Sequence, residues 1–222
     1  MNLYFLFEGK RTEPRVYRAW LAQVFRDLTE VKRVSEIQQD NYFIMPGTGY
    51  PAYLDRIEES VRDVERQGNI DRFFICVDGE EDPQKTDAVI QRRISGKLSQ
   101  TKYKVIIANC CIETWFLGNE ALMPETPSVQ LLNEFRQFYD VSANCPESLP
   151  VWKKYARTRA QFHKTYLKEL LRENGYSYSE SNPGIVREKK YIEALVDRHD
   201  KTGHLQSFGQ LISEWRSLGG GI

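Results

Sequence analysis

Four carboxylates in this chain stand just beyond short apolar runs, and that placement sets the chemistry open to them. Glu8 follows Leu3-Tyr4-Phe5-Leu6-Phe7; Asp78 and Glu80 follow Phe73-Phe74-Ile75-Cys76-Val77; Glu113 comes soon after Val105-Ile106-Ile107-Ala108. Apolar runs this short, stopped by acids, glycines or asparagine, read as buried strands. In an open α/β sheet the ligand crevice lies beyond the carboxyl ends of the strands, so acids placed there point into it. Carboxylates crowded into one crevice repel each other and raise one another's pKa unless a cation neutralises them. Hard oxygen ligands select Mg²⁺ or Mn²⁺, and such ions promote phosphodiester cleavage by activating water and stabilising charge on the attacking and leaving oxygens. A plainer reading stands beside this one. Glu8 caps the helix that begins near Thr12-Glu13-Pro14, and Glu113 is a solvated glutamate on a buried aromatic turn.

The elements that must position these acids alternate along the first half of the chain. Val16, Trp20, Val24 and Leu28 recur at i+4 and mark a helix with Pro14 in its first turn. Tyr42-Phe43-Ile44-Met45 is a strand candidate ending at Pro46-Gly47-Thr48-Gly49-Tyr50-Pro51, a turn that lacks the lysine of a P-loop. Leu54, Ile57, Val61 and Val64 mark a helix stopped by Gly68, and Ile90, Ile94 and Leu98 a further one. Strands at Arg72–Val77 and Tyr103–Ala108 bring the predicted number to four. From about Pro127 the texture is helical, with segments over Leu131–Tyr139, Ala156–Leu171, Val186–Arg198 and Phe208–Leu218. Residues 1–125 are therefore expected to form an α/β core, and residues 126–222 a helical extension docked on it.

Composition removes several classes. The 31 basic residues balance the 31 acidic ones, so any polyanion site must be a local patch. Cys76, Cys110, Cys111 and Cys145 form no CxxC pair, and adjacent Cys110 and Cys111 do not easily bridge; reduced thiols are expected, and a zinc site is not. His163, His199 and His204 show no HxxxH or Cys/His spacing, which argues against a zinc hydrolase. No GxSxG motif or lysine-bearing P-loop appears. With neither a basic-then-apolar leader nor a membrane-length apolar run, a cytoplasmic protein is expected.

Three segments carry a family resemblance: Phe7-Glu8-Gly9 followed by Thr12-Glu13, then Val77-Asp78-Gly79-Glu80, then Ile112-Glu113-Thr114-Trp115-Phe116-Leu117. Together they resemble the Toprim domain in its OLD-nuclease and RloB-like branch, whose pattern reads EGxxTE, a DxD variant, and an FExWLL-like motif. The resemblance covers roughly the first 120 residues. It implies a mostly parallel sheet flanked by helices, with Glu8 as acid/base or ligand, Asp78 and Glu80 as metal ligands, and Glu13 and Glu113 completing the site. Glu80 stands where the family has a shorter aspartate, and the basic residue of related nucleases has no clear counterpart. The family implies a Mg²⁺-dependent nuclease acting on DNA or RNA beside an ABC-type or OLD-like ATPase partner in phage defence. The alternative is a non-catalytic Toprim-like module that binds a nucleotide, nucleic acid or partner protein. Whether the chain forms a homo-oligomer is open.

One feature of the second half bears on nucleic acid. Trp152 to Lys168 contains Lys153, Lys154, Arg157, Arg159, Lys164 and Lys168 with no acid among them. In a helix starting near Ala156, Arg157, Gln161, Lys164 and Lys168 share one face, with Tyr155, Phe162 and Tyr166 as flat surfaces nearby. Arg157, Arg159, Lys164 and Lys168 are the candidate phosphate contacts, against the plainer reading of a solvated face paired with acids elsewhere. His163 is a candidate proton carrier, set against a structural histidine.

Overall fold

A computed structural model describes residues 1–49 and 51–222; Tyr50, in the Pro46–Pro51 turn, lies outside the described residues. Five parallel strands form one sheet in the order β2-β3-β1-β4-β5: β1 Asn2–Phe7, β2 Thr29–Val31, β3 Asn41–Met45, β4 Arg72–Asp78 and β5 Lys102–Ala108. The expected α/β class with a parallel sheet flanked by helices is the one found. Every residue of β1 is buried, as befits a central strand with helices on both faces. β2 was not among the predicted strands, because three residues are too few to carry a period.

Alternation along each strand divides the interior in two. Leu3, Phe5, Phe7, Phe74, Cys76 and Ile106 face α1 (Thr12–Val24) and the C-terminal helices, and Tyr4, Leu6, Phe73, Ile75, Val77 and Val105 face α2 (Tyr53–Gln67) and α3 (Pro83–Ile94). β1 therefore leads to a helix on one face and its neighbour β4 to a helix on the other. A sheet whose adjacent strands send their connections to opposite faces opens a crevice at their carboxyl ends, here the ends of β1 and β4.

The second half comprises α4 (Ile112–Phe116), α5 (Gln130–Phe138), α6 (Arg159–Glu173), α7 (Lys189–Thr202) and α8 (Gln206–Ser217). These helices share a single apolar core with the first sheet face: Trp20 of α1 meets Phe116 and Phe208 edge-on, and Tyr17 meets Trp215. α6 begins at Arg159, three residues later than the apolar spacing suggested. Thr158 is its N-cap, its hydroxyl accepting from the Gln161 N–H at 3.2 Å. No helix among the described residues is long and apolar enough to cross a membrane.

Candidate active site at the carboxyl ends of β1 and β4

Register sets the two central acids side by side. Phe7 pairs with Cys76, so the next residues on each strand, Glu8 and Val77, leave Asp78 one step further along. The Asp78 N–H then donates to Glu8 Oε2 at 3.3 Å, while the Glu8 N–H donates to the Cys76 carbonyl at 3.1 Å. Asp78 Oδ1 in turn accepts the Ile112 N–H at 3.0 Å, which fastens the start of α4 to β4. Each carboxylate keeps its second oxygen out of these bonds.

Around this pair lie two contiguous clefts of about 280 and 290 Å³. Glu8 and Asp78 line both, Glu13 and Glu113 the first, and Glu80 the second. The five acids of the sequence reading thus border two clefts that share Glu8 and Asp78, Glu113 in one and Glu80 in the other. Glu13 is held by the Gly9 N–H, which donates to its Oε1 at 3.1 Å. Glu80 adopts a left-handed backbone at φ +50°, fixed by its N–H donating to the Cys110 carbonyl at 2.8 Å. A non-glycine residue in that region is strained, and such strain concentrates at functional sites.

The turn after β3 packs on the same strand end. Gly47 N–H donates to the Gly9 carbonyl at 3.3 Å, and the Gly49 N–H to the Glu8 carbonyl at 3.0 Å. A Cβ at Gly47 would lie 2.0 Å from the Glu8 carbonyl oxygen, so only glycine permits this approach. The turn therefore serves to fix the backbone of Glu8.

The electrostatics of the acids run in one direction. Burial raises the Glu8 pKa to about 7, with Glu13 and Glu80 adding to the shift and the Asp78 N–H opposing it. Burial also raises Asp78, and the charges of Glu13, Glu113, Glu8 and Glu80 push it further. Glu13 is raised by burial and then by Glu113; Glu80 by burial and then by Cys110. Negative charge is thus disfavoured at four neighbouring carboxylates, the imbalance a cation would relieve.

The donor set suits a hard cation. All five candidates offer carboxylate oxygens, and Mg²⁺ is typically held by one or two carboxylates with waters completing its shell. The acids do not form a tight cage: among the described residues, the group of His, Cys, Asp and Glu side chains with all ligand atoms within 4.8 Å of one another is Cys110, Cys111 and His163. The carboxylate site therefore fits Mg²⁺ or Mn²⁺ with water between some ligands, and not a fully dehydrated ion.

Lys164 lies on the wall of the first cleft, not on a free basic stripe. Its Nζ is 3.5 Å from Glu113 Oε1 and 2.6 Å from Glu180 Oε1. Burial works against its charge, but Glu113 and Glu180 outweigh that and hold the ammonium's pKa above its ordinary value. The Tyr178 hydroxyl donates to the same Glu113 oxygen at 2.9 Å. Tyr178 and Glu180 were not singled out from the sequence, because nothing local connects them with a glutamate more than sixty residues earlier. Lys10 and Arg11, exposed on the rim of the same cleft, were missed for the same reason.

The rest of the expected stripe disperses. Arg159 turns inward to the carbonyls of Glu147 at 2.7 Å and Leu149 at 3.3 Å, with Asn109 Oδ1 at 3.4 Å. Arg157 precedes the helix and is exposed, as is Lys168. Phe162 and Tyr166 are fully buried and cannot stack on bases, because they supply the apolar face that seats α6. Fully buried His163 borders neither cleft: Nδ1 is 2.7 Å from Thr114 Oγ1, and Nε2 is 2.9 Å from the Leu149 carbonyl. A proton carrier for the acid cleft must reach it, and this imidazole does not.

Fold and site define a parallel α/β protein with an acid-lined cleft at the switch point of its sheet. No family model, curated protein or solved structure matches the chain.

Proposed function

We propose that this chain is a Mg²⁺-dependent nuclease of the Toprim type, cleaving DNA or RNA phosphodiesters in the cytoplasm. In that reading it is the effector of a phage-defence system that works with an ABC-type or OLD-like ATPase. The observation that carries the catalytic part is the tie between Glu8 and Asp78 at the carboxyl ends of adjacent central strands, with Glu13, Glu80 and Glu113 bordering the same clefts. The motif resemblance supplies the defence setting and the ATPase.

Glu8, Asp78, Glu80 and Glu13 would hold Mg²⁺, which supplies water activation and charge stabilisation at the reacting phosphate. Glu8, whose Oε2 is engaged by the Asp78 N–H, keeps Oε1 to serve as ligand or as acid/base. Lys164, paired with Glu113 on the cleft wall, would donate from Nζ to a phosphate oxygen. Glu180 competes for the same ammonium. Lys10 and Arg11 on the rim suit the flanking backbone phosphates, a sequence-independent contact.

One observation favours the other reading, a non-catalytic Toprim-like binding module. Lys164 is already engaged by two acids, so a phosphate would have to displace a protein partner to reach its ammonium.

The deciding experiment uses purified chain, with the ATPase encoded beside it where one exists. Nuclease function requires cleavage of nucleic acid with Mg²⁺ or Mn²⁺ that stops with EDTA and is lost in Glu8→Gln and Asp78→Asn while both variants stay folded. Full cleavage by both variants, or no cleavage and no metal-dependent stabilisation of the wild type, rejects it.

A further inference from the structure

We propose that Cys110, Cys111 and His163 form a second cation site, selective for a thiophilic ion of the zinc class, that clamps α4 to α6. The ligand atoms of the two cysteines and the histidine lie within 4.8 Å of one another. Cys110 Sγ is 3.7 Å from His163 Nδ1. Zinc bonds of about 2.3 Å to sulfur and about 2.0 Å to nitrogen, in a tetrahedron, would space the two atoms by roughly 3.5 Å.

Thr114 holds the cluster together by hydrogen bonds. Its Oγ1 is 2.7 Å from His163 Nδ1, 3.8 Å from Cys110 Sγ and 3.6 Å from Cys111 Sγ. The N–H groups of Cys110 and Cys111 point at the same oxygen, at 3.2 and 3.4 Å, and hold it in place. Two sulfurs and one nitrogen therefore converge around this hydroxyl.

The histidine is already in the tautomer a metal requires. A carbonyl can only accept, so the Leu149 oxygen at 2.9 Å fixes the hydrogen on Nε2 and leaves the Nδ1 lone pair to accept from the Thr114 hydroxyl at 2.7 Å, a bond that an ion would replace, with Cys110 Sγ beside it at 3.7 Å. Metal-bound histidines characteristically donate their other N–H to such a partner. All four residues are at most 2% exposed. Small apolar side chains would fill that space without burying an imidazole, a hydroxyl and two thiols together.

This site is separate from the carboxylate clefts, which none of the three ligands lines. Sulfur donors select zinc or its relatives, as carboxylates select Mg²⁺, so the two sites are expected not to compete. Its place in the fold suggests its effect. Cys111 stands directly before α4, where the Ile112 N–H holds Asp78 and Glu113 follows, and His163 is adjacent to Lys164 on α6. An ion bridging the two helices would fix the Glu113–Lys164 pair from behind.

The test titrates the full, reduced, chelator-treated chain with Co²⁺ in the presence of excess Mg²⁺ to occupy carboxylates. One equivalent should bind with thiolate-to-cobalt charge-transfer absorption, be displaced by Zn²⁺, and raise the melting temperature. The band should survive in the Cys76→Ala, Cys145→Ser double variant and disappear in Cys111→Ser or His163→Gln. Cobalt binding without that band, or loss of the band when only Cys76 and Cys145 are changed, overturns the proposal. Both results are read on proteins whose α4–α6 contact is intact, so neither depends on nuclease activity or on the fate of the nuclease reading.

Discussion

The backbone N–H of Asp78 donates to Glu8 Oε2 at 3.3 Å, so the acid ending one central strand is held by the backbone of the acid ending its neighbour. Removing the charge at Asp78 while keeping its shape therefore isolates electrostatics from architecture. Asp78→Asn retains an oxygen for the Ile112 N–H. It is expected to leave the metal-free fold as stable as wild type or slightly more so, because a charge disfavoured by its acidic neighbours and partial burial is gone. Stabilisation by Mg²⁺ or Mn²⁺ should disappear and cleavage fall by at least ~10²-fold, in keeping with loss of a group that acts in the chemical step. Thermal melts with and without metal, read beside a cleavage assay, check both halves.

Stability without metal should fall as pH rises through the range set by Glu8. Its folded-state pKa, about 7, lies above its ordinary value of 4.5, so the folded protein holds the proton more tightly than the unfolded chain. The advantage is complete below about pH 4.5 and is lost as pH climbs to about 7. Asp78, Glu13 and Glu80, also raised, act with the same sign. Added Mg²⁺ should flatten that slope, and Glu8→Gln should reduce it. Urea midpoints measured across this pH range supply the test, and a rise in metal-free stability from pH 5 to 7 in wild type would count against the assigned shifts.

Lys164 should matter to folding as well as to binding. The Glu113 side chain is only 5% exposed, and Lys164 is the cation paired with it. Lys164→Met leaves Tyr178 as its remaining partner and is expected to cost about 2 kcal/mol, the effect of stranding a buried charge reduced because Lys164 is itself one-third exposed. Adding Glu113→Gln should recover most of that loss, and a double-mutant cycle in urea measures the coupling. Lys164→Glu would face two acids and should be worse than Lys164→Met. A binding defect in Lys164→Glu therefore has to be read beside its stability.

Gly47→Ala should act on Glu8 from a distance in sequence. The added carbon meets the carbonyl oxygens of Glu8 and Phe7 at 2.0 and 2.2 Å, both backbone atoms that cannot rotate away. The turn must withdraw, at an expected cost of roughly 1–3 kcal/mol for overpacking, and metal response should weaken although no ligand is altered. Comparing its melting curves, with and without Mg²⁺, against Gly221→Ala tests this, because a Cβ at Gly221 finds nothing closer than 3.8 Å.

Phosphate contacts should track the rim of the acid cleft. Lys10→Glu with Arg11→Glu is expected to weaken nucleic-acid binding and lower its salt dependence. Arg157→Glu, on an exposed residue that lines neither cleft, should do much less. Binding measured over a salt series separates the two.

The sequence by itself determined four of the five strands and the acids that follow three of them; β2, three residues long, left no signal. Runs such as Phe73 to Val77, apolar without polar alternation, are satisfied only by a strand covered on both faces. A chain leaving such a strand at an acid must place that acid at the sheet's edge. The helix stripe of α1 was equally plain from Val16 to Val24, because its buried residues recur at helical spacing, but Leu28, read as its last member, lies beyond the helix.

Tertiary structure decided which residues the acids would meet. The Trp152–Lys168 segment contains no acid, so its charges looked free; folding brought Glu113 and Glu180 to Lys164 and turned Arg159 into a tie for two carbonyls. The aromatic side chains Phe162 and Tyr166, counted beside that stripe, instead became part of the buried face of α6. Likewise Cys110, Cys111 and His163 show no ligand spacing along the chain, yet α6 packs on α4 and places them together. Local sequence fixes which face of an element is apolar, because that depends only on its own period. Partnership between charges or ligands on different elements depends on how those faces dock, and no residue within either element records it.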